Sequence, residues 1–377
     1  MKRIGIMVLI LCACFVPVAW GQKPAGNCSN NWTEFHRPNM ERANPCEKVL
    51  NVHNVGSLGL NWSYATGHVV GSSPAVADGV VYVGSDDGNV YALNASTGAK
   101  LWSYATGGDV YSSPAVANGV VYVGSFDGNV YALNASTGAL LWSYTTGSAV
   151  ESSPAVANGV VYVGSEDNNV YALNASTGAL LWSYTAGGGV HSSPAVADGV
   201  VYVGSLDHNV YALNATTGAK LWSYTTGDEV WSSPAVANGV VYVGSYDREL
   251  YALNAKSGVK LWSYTTGDQM ISSPAVANGM VYVGSNFHNN VYALNASTGA
   301  KLWSFKTGNS VYSSPAVANG VVYVGSWDKQ LYALNAKTGT RVWSYKTGNV
   351  VQSSPAVSNG MVFVGSDDSK VYAFGLK

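Results

Sequence analysis

A five-residue segment, Ser-Ser-Pro-Ala-Val, begins at Ser72, Ser112, Ser152, Ser192, Ser232, Ser272, Ser313 and Ser353. A Trp-Ser pair keeps the same rhythm at Trp62, Trp102, Trp142, Trp182, Trp222, Trp262, Trp303 and Trp343. Both series advance by 40 residues, with a single advance of 41. A unit that short cannot bury an apolar face by itself, so its copies must pack on one another. A period of about 40–45 residues is the signature of propeller blades.

One copy divides into four strands. Ser72–Val76 reads as strand A, Asp78-Gly79 as a hairpin turn, Val80–Ser85 as strand B and Asp86–Asn89 as a second turn. Val90–Asn94 reads as strand C and, after Ser96-Thr97-Gly98, Lys100–Tyr104 as strand D. Asp-Gly or Asn-Gly fills the A–B turn of every copy, which suits a type I′ turn with positive φ at both central residues. Val, Tyr and Trp dominate the strands, and no stretch reads as a helix. The runs Val80-Val81-Tyr82-Val83 and Val90-Tyr91-Ala92-Leu93 do not alternate between polar and apolar, as expected of a sheet covered on both faces. Pro74 cannot donate to a ladder, so strand A is an edge. The small Ser and Ala beside it place that edge nearest a crowded axis, with strand D and Trp102 outermost.

The copies run out of phase with the chain ends. A lone D strand, Leu60–Tyr64, precedes the first A strand, and the chain closes with A, B and C strands within Ser353–Phe374. The first fragment completes the last one, a clasp that only a ring can use. The expected fold is all-β: an eight-bladed β-propeller with four antiparallel strands per blade, closed by the N-terminal D strand completing the C-terminal blade. The expected division is 1–21 signal peptide, 22–57 N-terminal extension and 58–377 propeller.

The leader is read from Lys2 and Arg3, the apolar run Ile4–Val18, and small residues at Ala19 and Gly21, which direct cleavage before Gln22. Leu11-Cys12-Ala13-Cys14 offers a poor lipobox as the alternative. The apolar run is short for a membrane span, and the mature chain is expected to have none. Export would leave Cys28 and Cys46 to form a disulfide that pins the extension. Hydrophobic residues make up 47% and charged ones 11%, enough apolar material for a large core. The net charge is −2 with no basic run, so a nucleic-acid partner is not expected. The protein is read as exported, to periplasm or exterior, and monomeric.

The stretch Ala92-Leu93-Asn94-Ala95-Ser96-Thr97-Gly98 followed by Trp102 resembles the tryptophan-docking repeat of PQQ-type (quinoprotein-like) β-propellers. Asn stands where the family's Ala-x-Asp-x-x-Thr-Gly-x-x-x-Trp pattern has Asp. The resemblance covers roughly residues 58–377, and Trp32-Thr33-Glu34-Phe35-His36-Arg37 resembles the segment that precedes many such propellers. It implies eight blades with the repeated Trp packing blade to blade. The family includes quinoprotein alcohol and glucose-type dehydrogenases and the lipoprotein of outer-membrane β-barrel assembly, so the resemblance implies fold before activity.

Variation between copies is confined to one face. The A–B and C–D turns are nearly invariant, whereas the B–C and D–A loops differ. Before each Ser-Ser-Pro stand Gly71, Tyr111, Glu151, His191, Trp231, Ile271, Tyr312 and Gln352. After each strand B stand Asp86, Phe126, Glu166, Leu206, Tyr246, Asn286, Trp327 and Asp367. Loop positions also vary by drift, but the aromatic content of the first set is what recognition surfaces carry.

The reading is a non-catalytic binding or scaffold propeller. It engages a protein, peptide or glycan through Tyr111, Glu151, His191, Trp231, Tyr312 and Gln352, with Arg248 and Lys329 on neighbouring turns. The alternative is a PQQ-dependent dehydrogenase of alcohols or sugars, with Trp231 stacking on the quinone and Arg248 and Lys329 meeting its carboxylates. Calcium would then need an oxygen-rich set, and Glu151 is the only carboxylate in the first set of loop residues. No cofactor and no metal are expected. His191, His208 and Glu151 are the residues that come nearest to a cation set, and the B–C turn Asp residues read as turn formers.

Overall fold

The A–B turns adopt the left-handed geometry that their Asp-Gly and Asn-Gly pairs permit. Asp78 has φ 49° and Gly79 81°, and the pair at Asn238 and Gly239 has 51° and 74°. The computed structural model describes residues 29–36 and 40–377. The segment expected to be a leader, Cys12, Cys14, Cys28 and Arg37 lie outside the described residues.

Eight sheets result, each with strands in the order A-B-C-D, and in blade 7 the extension segment Ala43–Asn44 adds a fifth strand, parallel to strand A. Blade 1 has Ala75–Ala77, Val80–Gly84, Asn89–Asn94 and Lys100–Ala105, paired antiparallel throughout. Blade 8 joins Ala356–Ser358, Met361–Ser366 and Lys370–Leu376 to Leu58–Ala65 from the chain start. The ring is thus closed as the phase of the repeat demands. No helix among the described residues is long and apolar enough to cross a membrane.

Strand A is shorter than the sequence reading gives. It starts after Pro74 rather than at Ser72. The serines are spent between blades instead: Ser73 N–H donates to Ser113 Oγ, Ser113 to Ser153, and so on through Ser193, Ser233, Ser273, Ser314 and Ser354, which returns to Ser73. The first serine of each pair caps its own blade, Ser72 Oγ accepting from Gly84 N–H. An edge strand with proline cannot extend a ladder there, so short hydroxyl bridges satisfy the buried amides.

The outer ends dock by tryptophan. Trp102 Nε1 donates to Ala135 O in the next blade, 2.9 Å away. A Cβ on Gly138 would lie 2.7 Å from that indole, so only glycine admits it. The relation repeats from Trp62 to Trp303, and at the seam Trp343 Nε1 finds Leu58 O. Trp222, Trp262 and Trp343 are half-buried and the other five are buried.

The extension lines the channel. Trp32 exchanges backbone hydrogen bonds with Val76 of blade 1, Thr33 O accepts from Val116 of blade 2, and the Glu34 carboxylate accepts from Val156 of blade 3. His36 Nε2 meets Ser193 O of blade 4. Met40, Glu41 and Arg42 carbonyls accept from Val236, Val276 and Val317 of blades 5 to 7, and Asn44 Nδ2 donates to Val357 O of blade 8. The segment makes one circuit, one blade per step, and covers the free edges of the innermost strands. Arg42 is wholly buried and donates to Phe35, Ser314, Pro315 and Pro355 carbonyls. Cys46 is disulfide-bonded.

Candidate functional site: the D–A and B–C loop face

The loops of the variable face are held by a repeated carboxylate clasp. Asp207 Oδ1 accepts the Asn209 N–H of its own turn, and Oδ2 accepts both the Tyr211 hydroxyl and the Gly187 N–H of the loop entering the blade. Burial alone would raise this carboxyl, but the hydrogen bonds from Tyr211, Gly187 and Asn209 outweigh it and hold it below its ordinary value. The same bonds recur at Asp87, Asp127 and Asp167, with the same net depression. The blade with the extra residue reverses the arrangement. There Asp268, from the entering loop, accepts the His288 N–H of the B–C turn at 2.7 Å.

Upon this frame the two variable sets interlock. In blades 2, 5 and 7 the D–A residue packs on the B–C residue that follows it. Tyr111 packs on Phe126, with centroids 5.3 Å apart, Trp231 stacks on Tyr246 at 5.7 Å and Tyr312 on Trp327 at 4.4 Å. Neighbouring blades touch as well: a Cβ on Gly71 would meet both Gln352 and Tyr111, and His191 lies against Trp231 with centroids 4.3 Å apart. Trp231 Nε1 is engaged by Glu229 Oε2 at 2.7 Å. Tyr111 and Phe126 remain exposed at the rim.

Two groups of acids stand at this mouth, more than the first loop set alone implies. Glu151 Oε2 is 2.8 Å from His191 Nδ1, and Glu166 Oε1 is 3.9 Å from His191 Nε2. Burial, then Glu151, raises the Glu166 carboxyl. The second group joins the first and last blades. Asp367 is pushed up to about 6 by burial and by the nearby Asp86 and Asp368 charges. Asp86 is raised by burial in spite of a hydrogen bond from Tyr111. Asp86 Oδ1 and Asp367 Oδ1 are buried without a hydrogen-bond partner.

The predicted residues do not all converge. Tyr111, Glu151, His191, Trp231, Tyr312 and Gln352 lie around the mouth. Arg248 and Lys329 are exposed on B–C turns whose carbonyls bond Thr266 and Thr347 at the ends of outer strands. They form no ion pair among the described residues, and the Trp231 ring is already packed on His191 and Tyr246. His208 does not join His191 but stands 3.9 Å from Asp228. Glu166 was the missed member of the Glu151–His191 group. The constant interval between the two variable positions of each blade was the signal that could have paired it.

A family model described as outer membrane protein assembly factor BamB matches residues 48–153, 127–232, 210–310 and 287–377. Lupanine 17-hydroxylase [cytochrome c] from a Pseudomonas species is 33% identical over 105 residues, 26% of this chain and 15% of that protein. The chain therefore spans about 15% of the length of that curated relative. The crystal structure of BamB from Moraxella catarrhalis superposes with a TM-score of 0.74 at 21% identity, covering 84% of this chain and 99% of that one. A europium-containing methanol dehydrogenase gives 0.82 at 16% identity, covering 92% and 98%. At these identities the solved structures share the fold.

Proposed function

Because this chain belongs to the propeller family described as outer membrane protein assembly factor BamB, we propose that it is an exported, non-catalytic scaffold that holds a protein or peptide partner in the cell envelope. The observation that carries the reading is the one-sided diversification of an otherwise uniform ring. Nearly invariant turns cover one face, while the other presents interlocked aromatic pairs beside Asp86 and Asp367, each with one buried oxygen left without a hydrogen-bond partner. Such a surface favours a partner that brings apolar and cationic groups together. The extension lines the channel, and the reading puts recognition at the loop mouth.

Replacing Tyr111, Trp231 and Tyr312 together by Ala tests the reading. Cross-linking in the native envelope, followed by mass spectrometry, should recover a partner with the parent chain and lose it with the triple variant at equal abundance. Unchanged capture would reject the assigned face.

The competing reading is a PQQ-dependent dehydrogenase, supported by the likeness of fold to the methanol dehydrogenase. Against it stands the Trp231 ring, whose faces are already packed on His191 and Tyr246. Dye reduction with alcohols or sugars after adding PQQ and calcium would revive it.

A further inference from the structure

The geometry points to a divalent transition-metal site formed by Glu151, Glu166 and His191 where blades 3 and 4 meet. One ligand atom from each residue lies within 4.8 Å of the other two. A metal bonded at about 2.0–2.2 Å to carboxylate and imidazole gathers its donors into a space of that size. Small rotamer adjustments replace the Glu151–His191 hydrogen bond by two bonds to the ion.

The other blades supply the contrast. Where blade 3 places Glu151 and Glu166, blades 2, 5 and 7 place Tyr111 with Phe126, Trp231 with Tyr246, and Tyr312 with Trp327. Packed rings hold themselves together, whereas two carboxylates side by side repel unless a cation or proton stands between them. The residue that the next blade turns toward this pair is the imidazole of His191. Its side chain is only 10% exposed, and it is clamped by Trp231, which Glu229 and Tyr246 hold in turn. A ligand oriented by its surroundings loses little freedom on binding metal.

The donor set selects the metal. Two carboxylates and one imidazole suit zinc, cobalt or manganese, whereas calcium takes oxygen donors. Glu151 and Glu166 side chains are 27% and 34% exposed, so the remaining coordination positions open toward solvent at the mouth. An ion there would offer a carboxylate or imidazole of an incoming partner a point of attachment. The site does not depend on the scaffold reading, since metal binding is measured without a partner.

The test uses the full-length chain, stripped with a chelator and titrated with Co2+. One equivalent should bind with a d–d absorption band that Zn2+ abolishes. Glu166→Gln and His191→Ala should each weaken binding by about tenfold or more, while His208→Ala, at the exposed pair with Asp228, should not. Crystals of the parent chain soaked in zinc should give an anomalous peak among the three side chains. That measurement requires no variant to fold. A peak elsewhere, no stoichiometric binding, or cobalt affinity unchanged in His191→Ala would overturn the assignment.

Discussion

The backbone N–H of Ser354 in the last blade donates to the Ser73 hydroxyl in the first, 3.0 Å away and 281 residues distant in the chain. This bond completes the serine belt around the axis, so each blade is bonded to both neighbours at its inner end. Tryptophan docking does the same at the outer end. The loop face is therefore presented by a frame fixed at two radii, and its side chains can diversify without loosening it.

Gly199 and Gly218 separate backbone strain from crowding. Both hold positive φ, 76° and 72°, but a Cβ at Gly199 meets open space and one at Gly218 would lie 2.7 Å from the Trp182 indole. Gly199→Ala should cost about 1 kcal/mol from the left-handed backbone alone. Gly218→Ala should cost about 3 kcal/mol, because the indole must also shift. Urea denaturation midpoints compare the two, and near-UV circular dichroism should change only for Gly218→Ala.

Asp207→Asn removes the charge that three donors converge on and should destabilise by about 2 kcal/mol at neutral pH. The folded-state pKa of Asp207 lies below 3.8. Its contribution is therefore complete above 3.8 and is lost as pH falls through the lower folded value. Asp87, Asp127 and Asp167 behave alike. Stability of the parent should fall steeply below about pH 4, and less steeply in the variant, when unfolding is followed across a pH series.

Glu34 carries the opposite sign. Burial in the channel raises its carboxyl from 4.5 to about 7, against the hydrogen bond from Val156. The folded chain holds a proton that the unfolded chain releases, so stability falls as pH rises from 4.5 to about 7. His36, lowered by burial from 6.5 to about 3, adds stability as pH rises over that interval and partly masks the effect. Glu34→Gln keeps an acceptor for Val156 without a charge. It should match the parent near pH 4 and exceed it by up to about 3 kcal/mol above pH 7, read from denaturation curves at both pH values.

Arg42→Met leaves the Ser314, Pro315 and Pro355 carbonyls buried without their donor. Burial lowers Arg42 to about 9, so it remains charged at neutral pH. The loss should be about 3 kcal/mol or more, and it should fall first on the extension. Limited proteolysis should then cut within residues 29–44 while the blades stay resistant.

The inner radius shows where sequence reading stops short. Ser72 and Ser73 have strand-like neighbours and read as the start of strand A, yet their hydrogen bonds go to the next blade, a partner that no local pattern reveals. The extension was harder still. Its partners are mostly backbone amides and carbonyls spread over eight blades, and those groups leave no mark in side-chain type. Asp86 and Asp367 come together only because the first and last blades adjoin.

The blade count, the A–B turn geometry, the closing clasp and the face that varies were all written in the repeat. Each follows from a residue type acting on its own backbone or from the phase of one copy against the chain ends. Tertiary structure alone decided which variable residues of neighbouring blades meet. Packing neighbouring blades sets His191 beside Glu151 and Glu166 and against Trp231, and closing the ring lets the extension line the channel. Those contacts depend on distances between blades, which strand periodicity does not encode.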